Sequence, residues 1–177
     1  GMKMLRMYAN FLGYESNFNI YDTDDQTKVV RNILKELGAT VQETPKKIVS
    51  LISKLKEDGV SPEDYEKTVP SFLENYKVII ETYKKYKIEL KKNNAMDFSD
   101  LLIFTNELLD NPEILEKVQD RYRYVMVDEY QDTNNIQYQI IKKIAKKHLN
   151  ICVVGDEDQS IYGFRGANIQ NILDFEK

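Results

Sequence analysis

Two short apolar runs constrain this chain more than anything else in it. "YRYVMVDE" at residues 122–129 and "NICVVGD" at 150–156 are rich in β-formers and too short for helices. Between them Asn134 stands just ahead of Ile136, Ile140, Ile141 and Ile144, the cap and spacing of a helix with those residues facing inward. Strand, capped helix and strand make a βαβ unit, and such a crossover joins parallel neighbours covered by helices. Residues 95–177 therefore read as α/β.

The residues before 95 have a different texture. Val29, Val30, Ile33, Leu34 and Leu37 recur at helical spacing, and Gly38 follows as a stop. Thr44-Pro45 opens a second helix with Ile48, Leu51, Ile52 and Leu55 on one face. "SPED" at 61–64 combines a cap, a proline at the first helical position and an acidic first turn. From Pro70 an amphipathic stretch runs through Tyr76, Ile79, Ile80, Tyr83, Tyr86 and Leu90. Its other face carries Lys77, Lys84, Lys85, Lys87, Lys91 and Lys92. The tyrosines read as packing, and the lysines as a solvated face, with tracking of duplex phosphate as the alternative. No strand is expected in this half. Beyond it, Asp97 caps a helix carrying Phe98, Leu101, Leu102, Leu108 and Leu109, and Pro112 opens a short one.

Charge separates the two regions as well. Residues 1–94 hold 16 Lys and Arg against 14 Asp and Glu, whereas residues 95–177 hold 9 against 15. A net charge of −4 does not advertise nucleic-acid binding. No apolar run approaches the roughly 18 residues that cross a bilayer, so no membrane role is expected. The single cysteine, Cys152, lies in an apolar run as a small core residue with no disulfide partner, which fits a reducing, cytoplasmic compartment. His148, the only histidine, stands beside Lys146 and Lys147 at a helix end, where cations are favourable anyway.

The chemistry gathers where the apolar runs end. In an open parallel sheet, ligands bind outside the carboxyl ends of the strands. Asp128-Glu129 ends the first run and Gly155-Asp156 the second, so both clusters should face one cleft. Two adjacent carboxylates after a buried strand suit a nucleotide site: Asp128 can hold Mg²⁺ through water, and Glu129 can polarise an attacking water. Gln159 adds an uncharged amide able to read a terminal phosphate. A carboxylate after a strand also serves simply to cap a helix, which is the plainer account of "DE" alone.

Read together, "DEYQDTN" and "GDEDQSIYGFRGA" resemble motifs II and III of the UvrD/Rep/PcrA family of superfamily 1 DNA helicases. "MDFSDLL" at 96–102 resembles the segment before motif II, and "FLGYESNFNIYDTDDQ" the helical insertion called 1B. The resemblance implies a helical subdomain over residues 1–94, then over 95–177 part of a RecA-like P-loop NTPase domain (1A) with parallel strands. It implies ATP and Mg²⁺ as cofactors, with Asp128 on the metal, Glu129 activating water and Gln159 sensing the γ-phosphate. Tyr162, Phe164 and Arg165 fall where the family touches single-stranded DNA, and an aromatic face stacks on any base. Many relatives have Trp where Phe164 stands. Arg165 could equally pair with the acidic "DED" before it.

No GxxxxGK[ST] phosphate loop is present, since "GFRGAN" lacks the lysine. In the family that loop lies upstream and the second RecA-like half downstream. The chain is therefore expected to be an excised middle of a helicase that acts on single-stranded DNA and its junctions with duplex, inactive without the rest of that polypeptide. A non-catalytic module that binds DNA or a partner is the alternative.

Overall fold

The fold is that of a computed structural model, which describes residues 2–70 and 74–155. The chain divides into two compact units, residues 1–103 and 104–177. Two short helices lead the first: α1 (Met2–Met7) and a 3-10 turn at Ala9–Leu12. There follow β1 (Asn19–Tyr21), α2 (Thr23–Leu37), α3 (Pro45–Glu57), α4 (Pro62–Thr68), α5 (Glu74–Lys92) and β2 (Ala95–Asp97). Helix α6 (Phe98–Leu108) carries the chain into the second unit. That unit continues with α7 (Pro112–Arg121), β3 (Val125–Val127), a 3-10 turn at Tyr130–Asp132, α8 (Asn135–Ala145) and β4 (Ile151–Val153). The whole is a mixed helix-and-strand fold with two small parallel sheets.

The helices begin and end where local chemistry demands. Asp22 accepts from the Asp25 N–H at 2.8 Å while Asp25 accepts from the Asp22 N–H at 3.2 Å, a reciprocal cap that starts α2. Gly38 ends it at φ +59°, a left-handed turn that a side chain would resist. Thr44 and Ser61 cap α3 and α4, each followed by proline at the first position. Val30, Ile33, Ile48, Val49, Ile52, Leu55, Tyr83, Tyr86 and Leu90 then close into one core with Ala95. Tyr83 and Tyr86 are packed as expected, each with its hydroxyl bonded: Tyr83 donates to the Val60 carbonyl at 2.9 Å.

One expectation fails here. The first half does contain a strand: β1 pairs in parallel with β2, Asn19 beside Ala95 and Tyr21 beside Asp97. A three-residue strand has no readable alternation, and its partner lies beyond four helices. This pairing carries β2 into the first unit, whereas the change of sequence texture falls at residue 94. On α6 Phe98 is 56% exposed, while Leu108 and, just beyond the helix, Leu109 are buried.

The floor of the first unit is ionic. The Lys56 amine lies 2.7 Å from Asp97 and 2.7 Å from Asp100, with side chains 8%, 0% and 8% exposed. The same carboxylates cap α6, Asp97 accepting from the Asp100 N–H at 2.8 Å and Asp100 from the Asp97 N–H at 3.1 Å. Tyr86 donates to Asp97 at 2.8 Å, and Gln26 donates to the Tyr86 hydroxyl at 2.9 Å.

One amine cannot neutralise two carboxylates. Burial, with the charge of Asp97 beside it, pushes Asp100 up to about 6 despite the Lys56 amine. Burial acts the same way on Asp97, but Lys56 and the hydrogen bonds from Asp100 and Tyr86 hold it below the ordinary carboxylate range. Since the folded form of Asp100 binds its proton more tightly than the unfolded one, its contribution to stability is lost as pH rises from about 4 through 6. Asp97 works oppositely, its contribution being lost as pH falls below the ordinary carboxylate range. Asp100→Asn should therefore flatten the stability profile between pH 4.5 and 7.5, removing a dependence of roughly 1–3 kcal/mol. Urea unfolding at three pH values checks this; equal slopes for variant and parent would mean that both carboxylates stay ionised.

Candidate active site

β3 and β4 pair in parallel, with Val125 beside Ile151, Met126 beside Cys152 and Val127 beside Val153. Their carboxyl ends are therefore level. The Val154 N–H donates to the Val127 carbonyl at 2.8 Å, and the Tyr130 N–H donates to the Val154 carbonyl at 3.1 Å. These two bonds stitch the Asp128-Glu129 turn to the end of β4. Gly155 is the last described residue on that side, so Asp156, Gln159, Tyr162, Phe164 and Arg165 lie outside the described residues.

Tyr130 anchors the turn, 2% exposed beneath it. Asp128 and Glu129 remain exposed. The Glu129 N–H donates to the Asp128 carboxylate at 2.9 Å. Glu129 itself sits at φ 51°, ψ 45°, a left-handed conformation that non-glycine residues rarely take. Helix α8 has its own cap: Asn134 accepts from the Gln137 N–H at 2.9 Å, and Gln137 accepts from the Asn134 N–H at 3.1 Å. The Glu129 side chain caps nothing on the 3-10 turn that follows it. Helix capping, the plain alternative for this acidic pair, is thus done by Asn134.

Among the described residues, no group of three or more His, Cys, Asp or Glu could hold a metal ion alone. Mg²⁺ needs no such cage, since it keeps several waters and takes one or two carboxylates together with phosphate oxygens. Asp128 offers such a carboxylate at the strand end.

Elsewhere the residues named from sequence are accounted for differently. Cys152 is exposed, not in the core, because alternation along β4 turns it away from the half-buried Ile151 and Val153. Several α5 lysines are engaged: Lys77 with Glu74, Lys84 with Glu66 and Glu81, and Lys91 with the Leu12 carbonyl and the Tyr14 ring. The role of Lys56 escaped sequence reading, although Asp97 and Asp100, three apart, carried the signal of a capping box.

Mixed α/β architecture with parallel strands and acids at a strand end is a broad class, and comparison narrows it. The whole chain, residues 1–177, matches the family model described as the UvrD/REP helicase N-terminal domain. It is 43% identical to the ATP-dependent DNA helicase PcrA of Staphylococcus epidermidis and 42% identical to that of Staphylococcus aureus, over 178 residues and 99% of this chain in each case. The chain belongs to the UvrD/REP helicase N-terminal domain family. It spans 24% of the length of those relatives. No helix among the described residues is long and apolar enough to cross a membrane.

The strained turn yields a test. Glu129→Gly should raise stability by about 1 kcal/mol, since glycine adopts the left-handed conformation without the side-chain penalty. Glu129→Ala should bring no such gain, because its Cβ meets the same backbone. Chemical denaturation of both variants decides it; equal stabilities would mean that the turn relaxes.

Proposed function

We propose that this chain is part of an ATP-dependent DNA helicase or translocase, moving 3′ to 5′ on single-stranded DNA in repair, replication or recombination. Residues 1–94 would be the helical 1B insertion and residues 95–177 the part of the RecA-like 1A domain bearing motifs II and III. The observation that carries this reading is the acidic pair itself. Asp128 and Glu129 stand exposed at the end of β3, level with the end of β4, while Asn134 takes the capping work.

Asp128 would hold Mg²⁺ through its carboxylate, with nucleotide oxygens and water completing the shell. Bound there, Mg²⁺ neutralises phosphate charge and orients the terminal phosphate for in-line attack. Glu129 would orient the attacking water and accept its proton, and the Gln159 amide would contact the γ-phosphate. Tyr162, Phe164 and Arg165 would line the path of single-stranded DNA near its junction with duplex, the rings stacking on bases and Arg165 meeting phosphate. The chain holds no glycine-rich phosphate loop with its lysine, so a Walker A segment and a second RecA-like domain would have to come from elsewhere in the polypeptide.

Glu129→Gln in the complete helicase should abolish turnover while nucleotide still binds. Steady-state ATPase measured beside nucleotide binding checks the assignment, and activity within about tenfold of the parent would sink it. Phe164→Ala should weaken single-stranded DNA binding by roughly 1–3 kcal/mol and uncouple hydrolysis from DNA. Unchanged affinity and stimulation would assign that ring to the protein's own packing. The 177-residue chain alone should show no ATPase above background and no ATP binding tighter than about millimolar. Backbone N–H groups and a lysine supply most phosphate affinity in such sites, and clustered carboxylates repel a triphosphate. Titration calorimetry with ATP and Mg²⁺ measures this directly; micromolar affinity would reveal another phosphate site and remove the excised-middle reading.

A further inference from the structure

Tyr130 is the one large ring in the polar string "DEYQDTN". The chain buries it all the same. Asp128, Glu129 and Asp132 are exposed on either side of it, whereas Tyr130 is 2% exposed. Among the described residues of the second unit it is the only buried aromatic, since Tyr122 and Tyr124 are exposed and Phe104 and Tyr138 half-buried. Two exposed residues in succession break the alternation of β3, and the third turns inward. Glu129 makes that turn, at φ 51° and ψ 45°.

A left-handed backbone is unfavourable for a glutamate, and something has to offset it. Main-chain bonds close the turn: the Tyr130 N–H donates to the Val154 carbonyl at 3.1 Å, the Asp132 N–H to the Glu129 carbonyl at 2.9 Å, and the Thr133 N–H to the Tyr130 carbonyl at 3.1 Å. Those bonds use groups that nearly any residue offers at position 130. The ring is what the residue type adds. Burying an aromatic side chain outweighs the cost of one left-handed residue, so the ring holds Glu129 where an unanchored turn would relax. The same φ and ψ set the direction in which the Glu129 side chain leaves the backbone.

We propose that Tyr130 is a positioning residue for ATP hydrolysis: its buried ring keeps the Glu129 backbone left-handed and so fixes where the Glu129 carboxylate meets the attacking water. The proposal rests on the reading of Glu129 as the group that takes the water's proton. Tyr130 acts through Glu129 alone. Asp128 precedes the left-handed residue and keeps its place at the end of β3, so the metal side of the site does not depend on the ring. Loss of the ring therefore slows the chemical step and leaves nucleotide affinity as it was.

The test uses the full-length protein with Tyr130→Leu, which keeps an apolar side chain without a ring, and Tyr130→Phe, which keeps the ring. Steady-state ATPase on saturating single-stranded DNA gives kcat and KM. Tyr130→Leu should lower kcat at least about tenfold, toward the roughly 100-fold that a misplacement of about 1 Å costs. KM and ATP affinity should stay within about threefold of the parent, and Tyr130→Phe should restore kcat to the same range. In a Glu129→Gln background Tyr130→Leu should leave the residual rate within about threefold, because the group it positions is gone. A smaller fall in kcat, a parallel loss of ATP affinity, a Phe variant as slow as the Leu variant, or equal losses in both backgrounds would each overturn the proposal. If Tyr130→Leu does not fold, Tyr130→Met, whose flexible chain fills irregular space, takes its place; if neither folds, the ring belongs to the domain core and the proposal falls. A Glu129→Gln variant that still turns over would remove the hydrolytic reading of Glu129 and this inference with it. An inactive Glu129→Gln beside an active Tyr130→Leu would remove this inference alone.

Discussion

The first unit depends on one buried amine. Lys56, carried on α3, reaches two carboxylates at the start of α6, and one of those carboxylates also takes the hydroxyl of Tyr86 from α5. Gln26 from α2 completes the chain of bonds. Four helices and β2 are thereby tied at a point where the apolar core ends. Removing the amine would leave two uncompensated carboxylates in a dry setting, a loss of about 3–5 kcal/mol by the usual cost of breaking a buried pair. The apolar core alone would tolerate many arrangements of these helices. The directional bonds to Asp97 and Asp100 select one.

Features made by neighbours in sequence were the legible ones. The caps at Thr44, Ser61 and Asn134, the stop at Gly38, and the parallel pairing of β3 with β4 all follow from residues a few positions apart or from a short crossover. The pairing of β1 with β2 does not, because Asn19–Tyr21 is too short to show alternation and its partner is remote. Nor does the Lys56 clasp: nothing around Lys56 in the sequence separates it from the lysines that stay solvated. Cys152 was misplaced for a different reason. When every residue of a run is apolar, period-two alternation carries no information about which side is covered.

The candidate site was legible in its residue types and only partly in its geometry. Asp128-Glu129 could be read as nucleotide chemistry or as a helix cap, and the sequence alone left both open. In the structure Asn134 and Gln137 form the cap on α8, and the Glu129 side chain makes no cap bond to the 3-10 turn that follows it. What no pattern could foretell is the left-handed backbone at Glu129. A non-glycine residue held there costs about 1–2 kcal/mol.

The same residue type thus meets two opposite fates within 35 positions of one another, and solvent decides between them. Asp97 and Asp100 are buried, share an amine, cap a helix and accept further donors, so their charge is spent within the protein. Asp128 and Glu129 are exposed at the end of a strand. A carboxylate in the first condition can stabilise but cannot exchange partners without breaking several bonds at once. In the second, the carboxylate is open to solvent, from which a hydrated cation can approach it. Burial thus separates the two acidic pairs: Asp97 and Asp100 are held by an amine and by each other's backbone N–H, and Asp128 and Glu129 lie exposed at a strand end.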